Sequence, residues 1–274
     1  MHPILAQIGP IPIHTYGFLI ATGFIIAVQI MQRLAARSGL DPEKMQDLIF
    51  GGLLVGFLGA RIVFILTRWS YFMDNPIDML KVWEGGLVFY GGPLLTVPFI
   101  VWFTRKHKFP LWRTLDIIGP GLTIAHAFGR LGCLSAGCCY GKPTGGNWGV
   151  VLNSELVDPS MRGIHLHPTQ LYESASLFIL TAVLLYVFKR RKFDGQVTLI
   201  YFMTYPIIRS IIEIYRGDTI RGFVIGDWLS TSQFISILVF VAALIMTFVR
   251  LKQVRGLDGT ATLAAPRAAK GSAR

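Results

Sequence analysis

The chain has 274 residues, of which only 15% are charged, and a mean hydropathy of +0.54. Soluble domains carry about 25% charged residues, so the composition excludes an ordinary soluble enzyme and indicates a polytopic membrane protein. The net charge of +11 raises the question of nucleic acid as a partner, but the basic residues are distributed as in a membrane protein, and no nucleic-acid binding is expected. The first 32 residues contain neither Lys nor Arg, which argues against a cleavable signal peptide.

Seven apolar segments are each long enough to cross a hydrocarbon core of about 30 Å, which needs roughly 20 helical residues. We therefore predict an all-α polytopic integral membrane protein with seven transmembrane helices in one domain, residues 1–256. The basic, polar tail 257–274 is predicted to be a disordered cytoplasmic segment. The segments are 13–32, 46–66, 86–104, 114–135, 168–188, 196–215 and 231–250.

The basic residues predict how these helices are oriented. The first, third and fifth loops and the tail together hold 17 Lys and Arg residues, whereas the other three loops hold 6. Because positively charged loops stay in the cytoplasm, we expect the N-terminus on the periplasmic side and the C-terminus in the cytoplasm.

Three arginines, Arg61, Arg130 and Arg209, lie inside predicted helices. With alternating helix directions, each lies about 8 to 9 Å below the outer end of its helix. Other polar residues at this outer level are His14, Tyr16, Tyr90 and Glu173. An intramembrane arginine costs at least about 2.5 kcal/mol at a helix centre, so a ligand or a partner must compensate for it. Since guanidinium binds phosphate through two hydrogen bonds, the sequence predicts a phospholipid-headgroup site near the outer face.

Two acids can offset part of this positive charge. Tyr205, Arg209 and Glu213 follow one another at four-residue spacing and therefore share one helix face. Glu173 opens the fifth predicted helix. The alternative is that the arginines pair with these acids and with carbonyl groups only to hold helices together. That alternative weighs equally for Arg61, which follows the small residues Gly59 and Ala60.

All three cysteines occur in the segment Gly129–Gly141, at the outer end of the fourth predicted helix. On an oxidising face they could form a disulfide, coordinate a metal, or remain buried thiols. Their C-x4-C-C spacing matches no standard zinc pattern, so we expect no metal and no organic cofactor.

Several motifs, in order along the chain, resemble the prolipoprotein diacylglyceryl transferase family. The most specific are the run from His167 to Glu173, which reads His-Pro-Thr-Gln-Leu-Tyr-Glu, and the Gly-Arg-x-Gly motif at Gly129–Gly132. Ile13–Gly17, Gly59–Arg61, Trp83–Gly86 with Gly91-Gly92, and the Tyr205–Glu213 face also fit.

The resemblance implies an enzyme of the bacterial inner membrane, with its active site toward the periplasm. Such enzymes move the diacylglyceryl group of phosphatidylglycerol to the lipobox cysteine of a prolipoprotein, with a thioether as the product and glycerol phosphate as the leaving group. By position, it assigns lipid binding to Arg130 and catalysis to Tyr16, Tyr205, Arg209 and His14. From the residues themselves we add the substrate-binding candidates Arg61, Gly132, Gly137, Glu173 and Glu213.

The sequence departs from the family pattern at several positions. Cys133 and Ala136 stand where the family has asparagines, Cys138 stands where it has a glutamate, and Tyr90 occupies the place of a histidine proposed as base. Tyr16, Tyr90 and Tyr205 are the alternatives for the proton acceptor. The departures leave open a divergent relative that uses another lipid or acceptor, and an anion transporter is the rival of a different class.

Overall fold

A computed structural model describes residues 4–8, 11–217, 223–225 and 229–263. The chain divides into two units, Ile20–Ala125 and Met1–Leu19 with His126–Arg274. In the described residues, the helices are α1 (Thr15–Arg37), α2 (Pro42–Thr67), α3 (Trp69–Asp74), α4 (Gly91–Lys106), α5 (Leu111–Ala136), α6 (Thr169–Arg190), α7 (Gln196–Tyr215) and α8 (Thr231–Leu263). The short strands are β1 (Ile4–Ile8), β2 (Ile11–His14), β3 (Val150–Val151), β4 (His165–Leu166), β5 (Phe223–Ile225) and β6 (Leu229–Ser230).

The helices have the composition and surface of membrane-spanning segments. Six of them, α1, α2, α5, α6, α7 and α8, are long and apolar enough to cross a bilayer. Many of their large apolar side chains point outward; Leu54 and Phe248, for example, are each 60% exposed. Because extended apolar surface is unfavourable in water, these surfaces fit contact with lipid. The protein is therefore a predominantly helical, multi-pass membrane protein.

The third predicted segment differs from the prediction. Its helix begins at Gly91, not at residue 86, and α4 has 16 residues, about 24 Å at 1.5 Å per residue. Gly85 and Gly86 both have positive φ angles, 86° and 78°, and this conformation keeps the chain out of an α-helix. The predicted helical position of Tyr90 is accordingly wrong, since Tyr90 precedes the helix as its N-cap residue.

In the Ile20–Ala125 unit, α2 begins with a well-formed cap. The Asp41 carboxylate accepts hydrogen bonds from the backbone N–H groups of Glu43 and Lys44, and Pro42 occupies the first turn. Such a cap satisfies N–H groups that have no partner within the helix.

Helix α2 packs closely against α4 through glycine. A Cβ atom on Gly59 would lie 2.3 Å from the Gly91 carbonyl oxygen, and one on Gly91 would lie 2.3 Å from that of Gly59. The backbones therefore approach at a distance that only glycine permits at both positions, as in other membrane helix pairs.

In the second unit, α6 packs against α7, and α7 packs against α8. The Ser174 hydroxyl on α6 donates a hydrogen bond to the Ala127 carbonyl on α5 at 3.0 Å. Strands β1 and β2 form a hairpin before α1, and β5 pairs with β6. Helix α8 extends to Leu263, into the segment expected to be a tail, and residues 264–274 lie outside the described residues.

The connection between α5 and α6 forms a small folded segment. Strands β3 and β4 pair within it, and Tyr140, Leu152, Val157 and Leu166 make a buried apolar cluster. Bridges join Gly141 to Arg216 and Pro143 to Leu166. This segment therefore connects the ends of α5, α6 and α7.

Candidate active site

One buried carboxylate joins three helices. Glu173, four residues into α6, is 1% exposed. Its Oε2 atom lies 3.0 Å from Nε of Arg130 on α5. Its Oε1 atom accepts a hydrogen bond of 3.1 Å from the hydroxyl of Tyr205 on α7. The expectation that Glu173 neutralises part of the arginine charge is thus realised by a direct ion pair with Arg130.

His126, which the sequence analysis did not single out, belongs to the same cluster. It lies four residues before Arg130 on α5, so the two side chains share a helix face. Arg130 Nε donates to His126 Nε2 at 3.3 Å, and that nitrogen lies 3.6 Å from Glu173 Oε1. The imidazole also contacts the Tyr205 ring, with centroids 5.4 Å apart. Its i, i+4 spacing to an arginine within an apolar helix was the signal that could have identified it.

Arg130 is held by one end of its guanidinium group. Only its Nε has a polar partner among the described residues, namely Glu173 and His126. Its side chain is 14% exposed. The two terminal nitrogens, with four N–H donors between them, can therefore bind an anion through two parallel hydrogen bonds.

A second arginine lies at a matching depth. Arg130 and Arg209 each precede the last residue of their helix by six positions, about 9 Å along the axis. Arg209 Nη2 lies 2.5 Å from Glu213 Oε2 and donates to the Ser232 hydroxyl at 3.1 Å. Its Nη1 atom is buried and has no hydrogen-bond partner within the part of the chain that the structure describes. Such an unpaired donor is costly unless a ligand uses it.

The predicted shared face of α7 is present. Tyr205 faces Glu173, Arg209 pairs with Glu213, and the Tyr205 ring stacks on Tyr201 at 5.7 Å and 6°. This face therefore carries a second arginine–glutamate pair beside the tyrosine.

The predicted N-terminal candidates occupy two different environments. Tyr16 packs against Gly132, where an added Cβ atom would lie 3.0 Å from its ring, so this glycine makes room for the phenol. Tyr16 is 43% exposed. His14, at the end of β2, is exposed, and its catalytic role stays a prediction.

Gly137 has a structural reason to be glycine. Its φ angle is +79°, and a Cβ atom there would lie 2.5 Å from Cβ of Ser154. It ends α5 by its conformation, and the proposed contact with substrate stays a prediction.

Arg61 and Tyr90 belong to the Ile20–Ala125 unit. Arg61 is 6% exposed and donates five hydrogen bonds to main-chain carbonyls. Because a guanidinium group has five N–H donors, this set uses all of them, and the geometry supports the helix- and loop-holding alternative for Arg61. The carbonyls are those of Asp78, Met79, Lys81, Gly85 and Gly86. Tyr90 is 56% exposed.

The first residues of α6 form hydrogen bonds with the backbone of Cys138 and Cys139. The Thr169 hydroxyl donates to the Cys139 carbonyl at 2.9 Å, and Gln170 Nε2 donates to the Cys138 carbonyl at 2.7 Å. Pro168 is the N-cap residue of α6. His167 lies 3.2 Å from the Tyr172 hydroxyl through Nδ1 and packs on Trp148.

The thiol of Cys139 is electrostatically distinct from its neighbours. Hydrogen bonds with the thiols of Cys133 and Cys138 and the nearby Arg216 guanidinium hold the pKa of Cys139 below its usual range. For Cys138, its hydrogen bond with Cys133 raises the pKa. The cluster therefore lowers the pKa of one thiol and raises that of another.

Comparison with known proteins identifies the family of this chain. Residues 3–249 match the family model described as prolipoprotein diacylglyceryl transferase. Two similar relatives are named phosphatidylglycerol–prolipoprotein diacylglyceryl transferase. The protein from Clostridium tetani is 34% identical over 88% of this chain and 94% of its own length. The protein from Tolumonas auensis is 33% identical over 92% and 96%. The chain belongs to the prolipoprotein diacylglyceryl transferase family.

Proposed function

We propose that this protein transfers the diacylglyceryl group from phosphatidylglycerol to the lipobox cysteine of a prolipoprotein, the first step of lipoprotein lipidation. The names of the relatives support this activity. The observation that carries it is Arg130, which Glu173 and His126 hold through Nε while its terminal nitrogens remain available for a phosphate.

Arg130 and Arg209 bind the phosphate and stabilise the negative charge that develops on the leaving glycerol phosphate. Preorganised donors of this kind are usually the largest catalytic contribution where charge develops. Glu173 and Glu213 position the two arginines, and His126 adds a second contact to the first of them.

The bond changes follow from the substrates. The acceptor thiol loses its proton, and the thiolate sulfur attacks the glyceryl carbon. The carbon–oxygen bond to phosphate breaks, a thioether forms, and glycerol phosphate leaves. The single proton goes to one of three alternatives, Tyr16, Tyr90 or Tyr205, acting as a phenolate, and His14 is a further candidate at the start of α1.

A groove beside Arg209 suits an acyl chain. Its volume is about 380 Å³, and mostly apolar side chains of α7 and α8 line it. Ligand sites of this kind combine apolar walls with a few polar groups. The lining residues are Pro206, Ile207, Ser210, Ile211, Ile214, Gln233, Ser236, Ile237 and Phe240.

We also propose seven spans, with α4 as the short one, and a site that faces the periplasm. The matching depths of Arg130 and Arg209 and the positively charged loops support this orientation. A cysteine-accessibility experiment on a variant without the three native cysteines would test it, with new cysteines at exposed loop positions such as Asp158 and Lys108.

The activity is tested with purified full-length protein in detergent, phosphatidylglycerol and a lipobox peptide, using mass spectrometry. A diacylglyceryl adduct on the peptide cysteine is expected, and Arg130→Ala should abolish it. Arg33→Ala, which removes an exposed arginine, is the control. Absence of the adduct with wild-type protein that binds the lipid would favour the divergent or inactive relative.

A further inference from the structure

The end of α5 explains why its three cysteines meet. The N–H of Cys138 bonds to the Cys133 carbonyl at 3.1 Å, and the N–H of Gly137 bonds to the Leu134 carbonyl at 3.2 Å. With Gly137 at φ +79°, these bonds form a Schellman cap, which brings Cys138 against Cys133, the fourth-last residue of α5. The spacing between Cys133 and Cys138 therefore follows from a helix-ending motif.

The third thiol joins the pair through an unusual backbone conformation. Cys139 has a φ angle of +62°, which is uncommon for residues other than glycine. All three sulfur atoms lie within 4.8 Å of one another. A tetrahedral zinc ion with bonds of about 2.3 Å needs thiolate sulfurs roughly 3.8 Å apart, so small side-chain rotations are enough to close the site.

Neighbouring groups hold the site and balance its charge. Thr169 and Gln170, each 1% exposed, fix the carbonyl groups of Cys139 and Cys138. The Arg216 side chain, 6% exposed, hydrogen-bonds Cys139. Three thiolates and Zn²⁺ together carry one negative charge, which this guanidinium group offsets. Outer contacts of this kind orient ligands in metal sites.

We propose that Cys133, Cys138 and Cys139 bind one Zn²⁺ ion and leave its fourth coordination position open. Three protein ligands with an open position are typical of catalytic zinc sites, whereas structural sites are closed by four. The sequence spacing gave no reason to expect a metal; the convergence of the three sulfur atoms gives one.

The open position has a role that rests on the proposed transferase function. Cys133 lies three residues after Arg130 on α5, so the cluster adjoins the proposed phosphate site on the same helix face. The acceptor cysteine of the prolipoprotein binds the ion as a thiolate, and its proton passes to the acceptor group proposed above. The bound sulfur then attacks the glyceryl carbon, and the carbon–oxygen bond to phosphate breaks as before.

Metal binding is tested first, without reference to activity. Full-length protein with its affinity tag removed is reduced with a phosphine, stripped with a chelator and titrated with Zn²⁺ in detergent. We expect one zinc per chain by elemental analysis, and thiolate-to-metal charge-transfer absorption when Co²⁺ replaces zinc. Because the chain has only three cysteines, that absorption reports on this cluster alone.

The variants are Cys133→Ser, Cys138→Ser, Cys139→Ser and the triple variant. Each single variant should bind zinc at least ten-fold more weakly, and thermal unfolding of the metal-free proteins should show that the serine variants still fold. Reduced wild-type protein that holds no more zinc than the triple variant would overturn the site. A native disulfide between two of the cysteines, detected by mass spectrometry of protein isolated without reductant, would also overturn it.

The transfer assay then separates the two proposals. Zinc-loaded protein should form the adduct at least ten-fold faster than stripped protein, and readdition of zinc should restore the rate. Equal rates with and without bound zinc would overturn the acceptor role but leave the metal site. No adduct from either form, with zinc bound, would count against the transferase itself and leave the zinc site intact.

Discussion

Arg61 and Arg130 are both largely enclosed guanidinium groups on apolar helices, and the two units of the chain use them in opposite ways. Arg61 donates all five N–H groups to main-chain carbonyls of the segment from Asp78 to Gly86. Among the residues that the structure describes, Arg130 bonds through Nε alone, toward Glu173 and His126. A fully bonded arginine fixes a loop, whereas a partly bonded one can still bind an anion.

The largest expected effect comes from Arg130. Arg130→Ala removes the proposed phosphate ligand, and we expect transfer to fall by at least about 100-fold, the loss typical when one charge-stabilising donor is removed. Arg130→Lys should recover only part of the rate, because an ammonium group cannot make the paired contact. The peptide-adduct assay measures both. If Arg130→Ala transferred at the wild-type rate, Arg130 would not be a phosphate ligand, and its role would not differ from the structural role of Arg61.

Glu173→Gln should weaken both stability and activity. It leaves Arg130 without its buried counter-charge, and breaking a buried ion pair costs about 3 to 5 kcal/mol. Thermal unfolding in detergent and the transfer rate are the two measurements. Glu155→Gln, at an exposed acid, is the matched control and should behave as wild type. Unchanged stability in Glu173→Gln would mean that the pair with Arg130 is not maintained in the bilayer or detergent.

Arg61→Lys tests whether Arg61 has a structural role. Lysine cannot make five hydrogen bonds, so we expect a loss of about 1 to 3 kcal/mol from unpaired carbonyl groups. The folded fraction should keep its KM for phosphatidylglycerol. A clear rise in that KM would instead support the prediction that Arg61 binds substrate.

Alanine substitutions at two glycines of α2 test its close contact with α4. Gly59→Ala places a Cβ atom 2.3 Å from the Gly91 carbonyl oxygen, whereas Gly52→Ala meets only the Thr96 methyl group at 3.6 Å. We expect Gly59→Ala to destabilise the protein by about 1 to 3 kcal/mol and Gly52→Ala to have little effect. Thermal unfolding of the two variants side by side is the measurement, and equal melting temperatures would contradict the close helix contact.

The smallest expected effect separates two glycines of the Gly-Arg-x-Gly motif. Gly132→Ala pushes against Tyr16, while a Cβ atom on Gly129 meets no atom of the described residues within 4 Å. If Tyr16 acts in the reaction, displacing it should slow transfer by about ten-fold, and Gly129→Ala should be neutral. Equal transfer rates in Gly132→Ala and Gly129→Ala would mean that the position of Tyr16 does not affect the reaction.

Hydropathy and charge predicted much of this molecule. Six helices could be anticipated because each needs only a long apolar run, and the pairs Arg130–Glu173 and Arg209–Glu213 because intramembrane arginines need counter-charges. Carbonyl bonding was one of two alternatives for Arg61, but its partners could not be anticipated, since a separate loop brings those carbonyl groups to it. His126 was missed because one histidine in an apolar helix is usually structural, and its spacing to Arg130 was the one signal for it.

Local backbone geometry explains the remaining differences. The start of α4 depends on two glycines with positive φ angles, a conformation that hydropathy does not report. The cysteine cluster depends on the cap that ends α5 and on the positive φ angle of Cys139. Residue spacing alone could not predict either feature.

The ion pair between Arg130 and Glu173 has a consequence for biogenesis. Its two members lie on successive helices, separated by the folded segment between α5 and α6. During synthesis α5 therefore enters the membrane before its carboxylate partner exists, and the lone arginine costs up to about 2.5 to 3.5 kcal/mol, the value at a helix centre. We expect α5 to be retained at the insertion machinery until α6 arrives, so that the two helices partition into lipid together.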